Sequence, residues 1–128
     1  MRARTNRLLV IAVLLAACSG PPPTVDRITV ANPTEYDLDT EVTGGDRQGW
    51  LPLSVVEAGT EVVVRDVIDQ GEEWIFRFRH WDESVGELPV AREELERSGW
   101  RVEVPEEIGE RLQQLGTPPS EGSSQEVV

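Results

Sequence analysis

The chain has no lysine, one cysteine and one histidine among its 128 residues, and its twelve basic side chains, all arginine, face 24 carboxylates. Each shortage excludes something. A formal charge of −12 rules against a nucleic-acid ligand, because phosphate binding needs a basic footprint. Adhesion to anionic lipid headgroups is disfavoured for the same reason. A lone cysteine has no intrachain disulfide partner, so the fold must be held by its core. The longest apolar run, residues 8–17, is half the roughly 20 residues that a helix needs to cross a bilayer.

That run has a setting of its own. Arg2, Arg4 and Arg7 precede it, and Cys18, Ser19 and Gly20 follow it. A charged start, a short apolar stretch and small residues at its end make the layout of an export signal. Leu15, Ala16, Ala17 and Cys18 resemble the lipobox of bacterial lipoproteins, in which the cysteine thiol is alkylated with diacylglycerol before cleavage. The resemblance implies a signal peptide over residues 1–17 and lipidation at Cys18. One acyl chain binds a membrane marginally and two hold it stably, at about 0.8 kcal/mol per buried methylene. The lipid would therefore anchor the protein independently of its fold. Cleavage removes three arginines and no acid, which deepens the formal charge from −12 to −15.

The rest divides by composition. Pro21, Pro22 and Pro23 continue from Cys18 as a stiff spacer over residues 18–23, since consecutive prolines favour an extended geometry. Residues 116–128, rich in Gly, Pro, Ser and Glu without apolar period, read as a disordered tail. Residues 24–115 form one domain in which most segments alternate with the strand period. Strands are expected at 25–31, 36–43, 50–56, 60–68, 74–81 and 100–104, with a further short one at 87–90. Pro52 belongs at an edge or a bend. Tyr36, Leu38, Thr40 and Val42 share one face, and Asp37, Asp39 and Glu41 the other. Trp74, Phe76, Phe78 and His80 share a face, opposite Ile75, Arg77, Arg79 and Trp81. Residues 91–97 read as a short helix, and 105–115 as a second with Ile108, Leu112 and Leu115 on one stripe.

About seven short strands at intervals of roughly ten residues predict a mainly β fold, a sandwich or small barrel. The pattern resembles the small immunoglobulin-like β-sandwich domains of cell-surface lipoproteins, and it lacks the intersheet cysteine pair of true immunoglobulin domains. Asn32-Pro33-Thr34, Gly49-Trp50-Leu51-Pro52-Leu53 and Gly99-Trp100 resemble segments of small uncharacterised lipoproteins of actinobacteria. That group carries no known catalytic residue and transfers none. Arginine and glutamate in excess with lysine absent also fit a high-GC Gram-positive genome.

Few residues invite chemistry. His80 continues an apolar face and lacks the companions that a general base or metal ligand needs. Its neighbour Asp82 invites a dyad, but Ser84 falls in a turn, so no acyl-transfer set is formed. Asp66, Asp69, Glu72 and Glu73 cluster at a turn, as calcium ligands do, but without the spacing of an EF-hand. Trp74 and Trp100 read as core, and Trp50, after Gly49 and before Pro52, as either a cap on the core or the lining of a shallow groove. Arg77, Arg79 and Trp81 form a candidate partner surface, since arginine and tryptophan are enriched where interfaces carry their energy. Alternatively, the two arginines pair with Asp37, Asp39 or Glu41 across the sheet.

The sequence thus predicts a lipid-anchored protein on the extracytoplasmic face of the cell membrane. It reads as a non-enzymatic accessory or protein-binding module, with membrane lipid and an envelope protein as partners and no cofactor, catalytic residue or metal. The alternative is a small-ligand or metal-binding lipoprotein serving a transporter.

Overall fold

Alternation of apolar and polar residues shapes two strands that cross the middle of the molecule. In β2 (Leu38–Gly44) and β5 (Glu73–His80), Leu38, Thr40 and Val42 face Phe76 and Phe78 inward, and all five are fully buried. The computed structural model describes residues 20–121, so the signal segment and Cys18 lie outside the described residues. Around the central pair stand β1 (Thr24–Asn32), β3 (Leu51–Val56), β4 (Thr60–Ile68), β6 (Glu83–Ala91) and β7 (Arg101–Glu103), with helices α1 (Arg92–Arg97) and α2 (Glu106–Gln114). Two sheets result, ordered β4-β1-β7 and β3-β2-β5-β6. All pairs are antiparallel except β1 with β7. The architecture is a mainly β, two-sheet sandwich with two short helices near its end.

The core lies between the sheets. Ile28 and Val30 from β1 and Val67 from β4 meet Val42, Trp74, Phe76 and Phe78 from the other layer. Full burial of such side chains stabilises by about 1.5–3 kcal/mol each. The Trp74 ring stacks with Phe76 at 6.3 Å and meets Trp100 edge-on at 5.5 Å. Its indole N–H donates to the Gly71 carbonyl at 3.0 Å, which satisfies the one polar atom of a buried tryptophan. Ile108 and Leu112 of α2 close one end.

Asn32 ties the connections. Its amide donates to Tyr36 O at 2.7 Å and Val56 O at 2.9 Å, and its Oδ1 accepts from the backbone and hydroxyl of Thr34. One buried side chain thus joins the ends of β1 and β3 to the entry of β2. Pro52 sits on edge strand β3 beside a register shift at Thr40/Glu41, where its missing N–H costs no ladder bond. Helix α1 ends with Gly99 at φ 70 and Trp100 at φ 61, and Trp100 N–H donates to Leu95 O at 2.7 Å.

Two expectations are corrected here. Leu115 is 67% exposed, because α2 stops at Gln114 and the N–H groups of Gly116 and Thr117 turn back onto Gln113 and Leu112. Of the tail expected over 116–128, residues 116–121 fold back on the domain, and 122–128 lie outside the described residues. Tyr36 Oη donates to Thr117 O at 2.9 Å, Asp37 N–H donates to Ser120 Oγ at 2.8 Å, and Ser120 N–H donates to Glu35 O at 2.9 Å. Composition registers the lack of an apolar period, whereas polar partners on the β1–β2 connection hold this segment down.

Candidate functional site

The β5–β6 hairpin turns through two residues, since His80 pairs with Glu83. Trp81 takes the first loop position with φ 58. A two-residue hairpin with positive φ at this position is the place where glycine is usual, and a bulky residue there is strained. Trp81 is also 85% exposed, more than any other large apolar side chain among the described residues. Its ring touches His80 edge-on at 6.1 Å. Expected to continue the outward face of β5, Trp81 instead leaves the strand, because the turn breaks the alternation one residue earlier.

This turn overlooks a concavity of about 1150 Å³. The concavity lies at the sheet end where β2 begins, β3 ends and β5 turns into β6, and α2 with residues 117–121 forms its far wall. Val85, Leu112, Leu115 and Pro118 give it apolar surface. Six carboxylates line it against one guanidinium, that of Arg79. Asp37 is engaged, accepting from Ala58 N–H at 2.8 Å. Asp39, Glu57, Asp82 and Glu83 make no side-chain hydrogen bond or ion pair among the described residues.

His80 stands half-buried at the inner edge, its Nδ1 3.1 Å from Asp37 O and its ring edge-on to Tyr36 at 5.7 Å. Ser120 lines the same concavity from the far wall, its Oγ accepting from Asp37 N–H at 2.8 Å, and among the described residues no cysteine or second histidine lines it.

The two arginines go elsewhere. Arg77 donates through Nε to Glu41 Oε1 at 3.1 Å, and Arg79 Nη1 lies 3.6 Å from the same oxygen. The Arg77 guanidinium lies 3.9 Å over the Trp50 ring. Arg47 and Glu87 form a bidentate pair on the same sheet, and Arg47 holds the Glu87 carboxyl below its usual range. The expected stripe of Arg77, Arg79 and Trp81 is therefore not one surface. The arginines belong to a cross-strand charge ladder, and Trp81 belongs to the concavity. Trp50, expected to line a groove, is instead covered by Arg77 and is not part of this concavity.

The turn carboxylates are also spoken for in part. Asp69 accepts from Arg92 Nη1 at 2.5 Å and from Gly71 N–H at 2.8 Å. The Arg92 hydrogen bond, more than any other interaction, holds the Asp69 carboxyl below its ordinary range. Among the described residues no group of three or more His, Cys, Asp or Glu side chains is arranged to hold a metal ion. No helix among them is long and apolar enough to cross a membrane.

Reading the sequence missed the concavity because four chain-distant segments build it. Comparison with known proteins finds no matching family model, no matching curated protein and no matching solved structure.

Proposed function

We propose that this chain is a protein-binding module, lipid-anchored through Cys18 at the extracytoplasmic face of the cell membrane and without catalytic chemistry of its own. The observation that carries the binding role is Trp81. A strained, 85% exposed tryptophan in a glycine position buries little surface within the domain, and exposed tryptophans are favoured anchors of interfaces. The anchor rests on the order of residues 1–20, from the arginines through the apolar run to Cys18. The finer reading of the fold is an immunoglobulin-like sandwich, supported by seven strands divided four and three between two sheets. Kinship with small actinobacterial lipoproteins rests on the three short segments that resemble them.

A small-ligand or metal-binding role has less support. Among the described residues no group of three or more His, Cys, Asp or Glu side chains is arranged to hold a metal ion, and Asp69 is committed to Arg92.

Two experiments test the proposal. Labelling cells with a fatty-acid analogue should mark the wild-type chain and leave Cys18→Ala unmarked; equal labelling would refute the anchor. A photo-crosslinking residue at position 81 should give discrete adducts in intact cells. The same residue at position 63, an exposed site on β4, should give none. Equal yields from both positions would refute the binding role.

A further inference from the structure

We infer that the concavity beside Trp81 docks a basic peptide segment carrying at least one apolar side chain. The inference rests on the binding role proposed above and specifies the chemistry of the partner. Two independent features carry it. The first is Trp81 itself, a large aromatic face held out at the rim by a left-handed backbone. Such a face takes apolar side chains by area burial and guanidinium or ammonium groups by cation–π attraction. The second is the surrounding charge. Asp39, Glu57, Asp82 and Glu83 line the concavity without a cationic partner. The one arginine there, Arg79, is shared with Glu41 on the sheet face and donates to Asp82 O. A cation arriving at this rim meets carboxylates that no side chain among the described residues pairs with.

The same charges select against the other occupants. A second copy of the chain is itself strongly acidic and would bring like charge to like charge. An anionic lipid surface would be repelled by this rim. Residues 122–128 carry Glu126 and no basic residue, so they offer no complement. An open concavity of about 1150 Å³ is far larger than a single small cation and has room for several side chains of a peptide.

The test is a display selection of random twelve-residue peptides on the full chain in detergent, with Trp81→Gly as counter-selection. The expected result is enrichment of peptides that combine Arg or Lys with Leu, Ile or an aromatic residue, lost on Trp81→Gly. A chain with Asp39→Asn, Glu57→Gln, Asp82→Asn and Glu83→Gln should bind the enriched peptides about tenfold more weakly. Raising salt should weaken the wild type towards the same level. Circular dichroism of both variants distinguishes lost binding from lost folding. Should the four-site variant not fold, the salt dependence and the charge of the enriched peptides decide alone.

Trp81-dependent enrichment of neutral or acidic peptides would overturn the basic-partner inference and leave the binding role standing. Equal competition by spermidine at the same charge concentration would overturn the peptide occupant. No Trp81-dependent enrichment would overturn the docking site. If position 81 still crosslinked in cells, the binding role would survive that loss; if it did not, both readings would fall.

Discussion

The side-chain amide of Asn32 donates to the carbonyl of Val56 at 2.9 Å, joining residues 24 positions apart. The same nitrogen reaches Tyr36 O, and Oδ1 fixes Thr34. Asn32→Ala should therefore cost about 2–4 kcal/mol, since it strands buried carbonyls as well as deleting bonds. Urea melts measure this directly. A loss under about 0.5 kcal/mol, within the range of ordinary surface changes, would show that the turn holds without it.

Thr40 and Thr43 are both buried on β2 and should respond oppositely to valine. Thr40 Oγ1 has no hydrogen-bond partner among the described residues, whereas Thr43 Oγ1 donates to Gly49 O. Thr40→Val should raise stability by about 1 kcal/mol, because a desolvated, unpaired hydroxyl is removed. Thr43→Val should lower it by about the same amount. Denaturation midpoints at constant slope give both signs.

Acid should unmask the Arg92–Asp69 pair. With the folded carboxyl held low by Arg92, its contribution is present above the unfolded pKa and disappears as pH falls through the folded value. Asp69→Asn should therefore cost up to about 1 kcal/mol near neutrality, and the gap from wild type should close below about pH 4. A gap that stayed constant between pH 7 and pH 2.5 would assign the effect to packing.

At the hairpin, Trp81→Gly should leave thermal stability unchanged or slightly higher. Relief of left-handed strain is worth about 1–2 kcal/mol, against roughly 0.5–1 kcal/mol for glycine's extra freedom when unfolded. Trp81→Ala keeps the strain and should melt below the glycine variant. The reverse order would mean that the ring stabilises the turn.

Alternation made much of the sandwich legible. The expected strand at 60–68 coincides with β4, and the inward set Tyr36, Leu38, Thr40 and Val42 is buried as read. Local period carries this information because each strand has one dry face. Where local period stops, so did the reading. Trp81 lies one residue past its strand and Leu115 one residue past its helix, so neither follows the periodic face, and Ile75, on the face expected outward, is buried beside Thr43. The docking of residues 116–121 depends on Tyr36 and Glu35, some 80 positions away, and no window of sequence contains both. The concavity was invisible for the same reason, although Trp81, its principal feature, was singled out.

β1 begins at Thr24, the first residue after the proline spacer, and lies in the middle of its sheet. It is registered with β4 at eight positions and with β7 at three. Tension entering the domain from the N-terminal side therefore runs lengthwise along a strand gripped on both flanks. Ladder bonds lie across the strand direction, so such a pull shears them together and does not peel them one at a time.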